Sequence, residues 1–135
     1  MKVVIASDHG GYQLKEELKA FIAELGHEVA DYGAHTQDPV DYPDFAFLVA
    51  EAVAAGAADR GVMIDGIGAA SAIVANKVPG IRAASCSDTF TAAMSRAHND
   101  ANVLTLGARV IGSGLAREIV KVWLAAEFEG GRHMR

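Results

Sequence analysis

The sequence predicts an α/β domain built as a five-stranded parallel sheet with helices on both faces, in three αβα layers. Three observations carry this reading. Short apolar segments and longer amphipathic ones alternate five times along the 135 residues, the order that builds strand–helix–strand units. The strand-like segments are continuous β-branched and apolar runs rather than alternating ones, as in strands buried on both faces. Gly or Pro-Gly punctuation separates the segments, and no repeat, linker or low-complexity tract interrupts them. Residues 1–135 are therefore read as one domain, long enough to bury a core without disulfides or metals.

Lys2 to Ser7 is the first strand, ending at Asp8-His9-Gly10-Gly11. The helix after it carries Leu14, Leu18, Phe21, Ile22 and Leu25 on one stripe and stops at Gly26. Glu28 to Asp31 is a second short strand, and the polar, turn-rich segment from Gly33 to Tyr42 is a loop. Pro43 suits a first helical turn, and Phe45, Leu48, Val49, Ala52 and Val53 are the expected buried face of that helix before Gly56. Gly61 to Asp65 reads as a buried strand, Gly66-Ile67-Gly68 as a tight loop, and the small residues beyond it as a helix closed by Pro79-Gly80. Ile81 to Cys86 is a fourth strand. Ser87 or Asp88 caps the next helix, which carries Phe90 and Met94 and breaks at His98-Asn99-Asp100. Val103 to Leu106 is the fifth strand, followed by Gly107-Ala108-Arg109. The last helix shows Leu115, Ala116, Ile119, Val120, Trp123 and Leu124 at helical spacing, and Glu127 to Arg135 is a charged tail.

Composition narrows the function. A net charge of −5 argues against a nucleic-acid or anionic-membrane surface, so an anionic ligand must be held by local cations. Cys86 is the only cysteine, which excludes a disulfide framework and fits a reducing compartment. The apolar start, Met1 to Ala6, is too short for a signal peptide, and no apolar run reaches membrane-spanning length. The expectation is a soluble, cytoplasmic protein.

In parallel sheets, ligands bind beyond the carboxyl ends of the strands. Asp8, His9, Tyr42, the loop Asp65-Gly66-Ile67-Gly68 with Ala70, Ser87-Asp88 and Arg109 all fall there. Such a loop lets backbone N–H groups approach an anion at the positive end of a helix dipole. The Gly-x-Gly pattern alone is a weak signal, since many tight turns want glycine. Asp65 reads in two ways. It is a general base if burial lifts its pKa from the free value of about 3.9, or it caps the helix or pairs with a cation. His98 suits acid–base work near neutral pH, and Arg109 and Arg132 suit bidentate phosphate holding. His98 and Asn99 precede the fifth strand, and Arg132 follows the last helix, so both start from the sheet's opposite, amino edge. Either they are plain surface or they complete the pocket of a neighbouring copy; the second reading is preferred. A dinucleotide site is disfavoured because Asp-His-Gly-Gly follows the first strand in place of Gly-x-Gly-x-x-Gly. A metal centre is disfavoured because Asp8, His9, Asp65 and His98 lack tight ligand spacing.

Several stretches stand in order along the chain: Ser7-Asp8-His9-Gly10-Gly11, Asp41-Tyr42-Pro43, the Gly-x-Gly loop running to Ala75-Asn76-Lys77, and Pro79-Gly80-Ile81-Arg82-Ala83, then Ser95-Arg96-x-His98-Asn99-Asp100-x-Asn102-Val103 and Gly130-Gly131-Arg132-His133. Together they resemble the type B ribose-5-phosphate isomerases and the related subunits of galactose-6-phosphate isomerase. The resemblance implies a Rossmann-like fold, a homodimer or homotetramer with shared active sites, no metal or organic cofactor, and an aldose–ketose isomerisation of a phosphorylated sugar through an enediolate. It implies that Asp8, His9 and Tyr42 line the sugar pocket and that Gly66, Ile67, Gly68 and Ala70 present N–H groups to the oxyanion. His98 would open the ring with Asn99 assisting, and Arg109 and Arg132 would hold the phosphate. The family's loop reads Cys-Gly-Thr-Gly-x-Gly with the cysteine as base, whereas here Asp65, Ile67 and Ala70 replace Cys, Thr and the third Gly. In this the chain is similar to the A subunit of galactose-6-phosphate isomerase, which works beside a Cys-bearing paralogue. Two expectations follow: Asp65 is the base of a homo-oligomeric isomerase, or the chain is a non-catalytic subunit lending His98 and Arg132 to a paralogous subunit.

Overall fold

The computed structural model describes residues 1–135. Five parallel strands, β1 (Lys2–Ser7), β2 (Glu28–Asp31), β3 (Arg60–Asp65), β4 (Ala83–Ser85) and β5 (Val103–Gly107), form one sheet in the order β2-β1-β3-β5-β4. Between and after them run α1 (Tyr12–Glu24), α2 (Tyr42–Ala54), α3 (Ala69–Ala75), α4 (Thr89–Ala97) and α5 (Ser113–Ala125). The three-layer expectation is met. Val3, Ile5, Val62, Ile64, Leu104 and Leu106 face a core shared with α1, α4 and α5. Val4, Ala6, Met63 and Val103 face a second core shared with α2 and Ala75 of α3. This is the period-2 alternation of a sheet buried on both sides.

α2 lies close on the sheet because Gly61 has no side chain; a Cβ there would run into Val49. At the β2 edge the fully buried Lys15 ammonium donates to both Asp31 oxygens at 2.8 Å, and Lys19 adds a third bond at 2.9 Å. Burial alone would push the Asp31 carboxyl up. The hydrogen bonds from Lys15, Lys19 and the Gly33 N–H outweigh it and hold the group at about 2.

Several local expectations change. Tyr42 is the first residue of α2 rather than part of the loop before it. The fourth strand is shorter than expected: Ile81 leaves the sheet for the α2-side core, and the Arg82 N–H is taken by Asn102 Oδ1 at 2.8 Å. Leu25, Leu48, Phe90 and Leu115 are exposed, whereas Ala46, Ala50 and Ala92 are buried. Small residues let these helices approach the sheet, and the larger ones flank the contact. Of the two candidate caps for α4, Asp88 is the cap, accepting the Thr91 N–H at 2.7 Å.

Candidate active site

In this strand order the chain leaves β1 for β2 on one side and later returns to β3 on the other, so a crevice opens at the carboxyl ends of β1 and β3. Asp8 and Asp65 stand at its two lips. The Asp8 N–H bonds Ile64 O at 3.2 Å, and its Oδ1 accepts the Gly11 N–H at 3.0 Å, closing a 3-10 turn over His9–Gly11. Glycine is required at position 11, since a Cβ would sit 2.5 Å from Ile64 O. His9 is exposed, with Nδ1 accepting the Val40 N–H at 3.2 Å, and Tyr42 is 37% exposed at the start of α2.

The loop after β3 is braced from two sides. Asp65, 3% exposed, accepts the Gly68 N–H at Oδ1; its Oδ2 accepts the Ser71 N–H at 3.1 Å and the Ser71 hydroxyl at 2.6 Å. From β5, the Thr105 hydroxyl donates to Gly68 O at 2.7 Å. Gly68 holds φ +85°, a left-handed turn that favours glycine. The backbone N–H groups of Gly66, Ile67, Ala69 and Ala70 have no partner within the chain. They are donors available to an oxyanion at the start of α3. The Ile67 side chain is 62% exposed, and the exposed Arg109 lies alongside, its N–H on Gly66 O at 3.0 Å. Cys86, 2% exposed behind β4, has its thiol pushed up by burial and takes no place in the crevice.

The second group of expected residues lies at the amino edge, as the strand order required. His98 ends α4, its N–H on Met94 O at 2.9 Å, and Asn99 beyond it is exposed. Arg96 holds this corner by donating to Asp100 Oδ1 at 2.8 Å, Ala101 O at 2.7 Å and Ala126 O at 3.3 Å. The Ala126 bond, with the Glu129 N–H on Ala97 O at 3.0 Å, folds the tail back against α4. The tail's 3-10 turn, Gly131–Met134, then stacks the His133 ring on His98 with centroids 4.3 Å apart and brings the exposed Arg132 to the same edge.

Asp65 is level with Gly107, at the far end of β5 from His98. The length of β5 alone, about 13 Å at about 3.3 Å per residue, separates the two edges. Within one chain the structure thus gathers Asp8, His9, the 66–70 loop and Arg109 at one edge, and His98, Asn99 and Arg132 at the other. Three residues carry no role from the sequence alone: Ser71 and Thr105, which brace the loop, and Glu129, which with His133 of the Arg-His tail surrounds His98. The i, i+4 spacing of Glu129 and His133 was a visible signal; their approach to His98 depends on the return of the tail.

Residues 3–135 match the family described as Ribose/Galactose Isomerase. The ribose-5-phosphate isomerase B of Escherichia coli is 48% identical over 134 residues, covering 99% of this chain and 90% of the relative. The D-erythrulose-4-phosphate isomerase of Pectobacterium atrosepticum is 44% identical, covering 97% of this chain and 87% of the relative. Among solved structures, the ribose-5-phosphate isomerase B of Clostridium thermocellum superposes with a TM-score of 0.98 at 57% identity, covering 99% of this chain and 90% of that one.

Proposed function

Because the chain belongs to the ribose/galactose isomerase family, we propose that it interconverts an aldose phosphate and a ketose phosphate of the ribose 5-phosphate type through an enediolate, without a metal or organic cofactor. The observation that carries this reading is the braced loop with four unpartnered N–H groups, from Gly66, Ile67, Ala69 and Ala70. Proton abstraction next to a carbonyl moves charge onto oxygen, and fixed donors in a crevice stabilise that charge without reorganising. Asp8, His9 and Tyr42 shape the sugar pocket, and Arg109 holds phosphate from the same edge.

The ring-opening acid–base group and the second phosphate cation are His98 and Arg132 of a second copy, with Asn99 beside them. A homo-oligomer is supported by apolar side chains left in water on the helices: Phe47 and Leu48 on α2, Ile73 on α3 and Phe90 on α4 are 42–72% exposed. Asp65 is the proton acceptor in this reading. To act, it turns one oxygen from the Ser71 donors toward the substrate carbon.

A second reading is favoured by one specific observation, the engagement of both Asp65 oxygens by three donors. There the carboxylate only braces the loop, and the chain lends His98 and Arg132 to a Cys-bearing paralogue. The test incubates the purified chain, in EDTA, with ribose 5-phosphate and with four- and six-carbon aldose phosphates. Ketose formation that disappears in Asp65→Asn is expected. Turnover that survives this substitution removes Asp65 as the base. Absence of turnover on every sugar, restored by a Cys-bearing paralogue, decides for the subunit reading.

A further inference from the structure

The one cluster of metal-ligating side chains in the molecule lies outside the carboxyl-edge crevice. His98, Glu129 and His133 each offer a donor atom, and these atoms all lie within 4.8 Å of one another. Glu129 Oε1 stands 3.6 Å from His133 Nε2 and 4.0 Å from His98 Nε2. Two imidazoles and one carboxylate are the donor set of a three-ligand zinc site that keeps an open position. With metal–ligand distances of about 2.0–2.2 Å in tetrahedral geometry, bound donor atoms stand about 3.3 Å apart. The carboxylate therefore needs only small side-chain shifts to close on either imidazole.

The two rings need more. Their planes are 15° apart, so their lone pairs run side by side, and one ring must turn about its Cβ–Cγ bond to converge on a shared ion. The His98 side chain is 39% exposed and Glu129 60%, which leaves room for that turn. The backbone is already set, since the Glu129 N–H is bonded to Ala97 O, one residue before His98.

We propose that His98, Glu129 and His133 form a transition-metal site of the zinc class, in which a bound ion takes the imidazole lone pair of His98 and silences it as an acid–base group. The donor set selects zinc, cobalt, nickel or copper over magnesium and calcium, which prefer all-oxygen shells. Metal binding stands on the cluster alone; the inhibitory consequence rests on His98 opening the sugar ring under the proposed function.

The test uses the full chain after dialysis against EDTA. Cobalt(II) is titrated by visible absorption and zinc chloride by calorimetry, with magnesium and calcium chloride run alongside. Expected are an intense tetrahedral cobalt band, one zinc per chain, and no heat from magnesium or calcium. Glu129→Gln and His133→Ala each weaken zinc binding about tenfold or more, as lost ligands do. Absence of the band and of saturable zinc heat overturns the site, as does a zinc affinity unchanged in both variants. These readouts need no turnover, so they stand even if the chain proves inactive on every sugar. Where turnover is present, zinc inhibits the wild-type chain at the concentration that fills the site. Glu129→Gln requires about tenfold more zinc for the same fractional inhibition of its own metal-free rate. Full activity with the site filled overturns the inhibitory consequence.

Discussion

Asp65→Asn separates bracing from catalysis. The wild-type carboxylate, 3% exposed, takes three donors, from the Gly68 N–H, the Ser71 N–H and the Ser71 hydroxyl. An asparagine of the same shape keeps one acceptor oxygen. Its lowest-cost orientation turns that oxygen to the two Ser71 donors and sets its NH2 against the Gly68 N–H. One buried donor is then left facing another, which costs about 1–3 kcal/mol. With a urea dependence of about 2 kcal/mol per molar, a loss near 2 kcal/mol lowers the unfolding midpoint by about 1 M. Ser71→Ala removes only the hydroxyl donor and costs about 1 kcal/mol. Because the asparagine oxygen keeps the Ser71 hydroxyl but takes it without a charge, the double variant should be less destabilised than the sum by about 0.5 kcal/mol. Urea unfolding of the four proteins measures this. An Asp65→Asn midpoint unmoved would refute the brace. Activity then divides the roles: Ser71→Ala leaves Oδ2 with the backbone N–H of residue 71 as its one donor, so an Asp65 base retains turnover in that variant, whereas a purely bracing Asp65 loses it in step with the loop.

The remaining expectations concern the edge ion pair, the loop and the second copy. The Asp31 carboxyl is held at about 2, below its ordinary value, so its contribution is present above about pH 4 and is lost as pH falls toward about 2. With a side chain 15% exposed, it contributes about 2 kcal/mol, and Asp31→Asn should erase that part of the acid unfolding curve while destabilising the chain at neutral pH. Gly107→Ala places a Cβ 2.7 Å from the Ile67 backbone and should displace the oxyanion loop, lowering kcat about tenfold or more while the fold survives by circular dichroism. Co-refolding equal amounts of Asp65→Asn and His98→Ala chains should restore about one quarter of wild-type activity, because half the dimers are mixed and each mixed dimer has one intact site. No restoration above the separate variants would exclude sites shared between chains.

Edge placement was legible because it follows from counting along the chain; the order of the strands across the sheet was not, since the apolar runs do not say which neighbour each strand takes. A polar residue after a continuous apolar run marks a strand's carboxyl end, and His98-Asn99 just before the fifth run must lie at the opposite edge. Helix faces were legible in phase but not in width. The stripe containing Phe45, Leu48 and Val49 turns its smaller members inward, because the sheet accepts α2 only as closely as Ala46, Ala50 and the bare Gly61 permit. Leu48 and Phe90 obey the helical period and still face outward; periodicity alone does not distinguish a core contact from an apolar surface awaiting a partner.

The site divides along the same line. Asp65 was visible as a misfit at the lip of an anion loop, but the two readings of it differ by one residue six positions on. Ser71 reads as one more small residue in a helix start, and only the left-handed turn at Gly68 brings its N–H and hydroxyl onto Oδ2. At the other edge, the corner motif that names His98 also contains Arg96, whose bonds to Asp100, Ala101 and Ala126 fix both the corner and the end of α5. That guanidinium, together with Arg60 on the carbonyls of Trp123, Leu124 and Ala126 and the Glu129 N–H on Ala97 O, steers the tail that stacks His133 on His98. Both candidate edges are held by bonds between side chains and backbone, which leave no period in the sequence. An Arg96→Lys chain, keeping the charge and losing the fork, should therefore disturb the two histidine rings more than it disturbs stability, with their NMR signals moving while the unfolding midpoint falls by about 1 kcal/mol equivalent. Unmoved histidine signals in that variant would show that the tail finds His98 without Arg96.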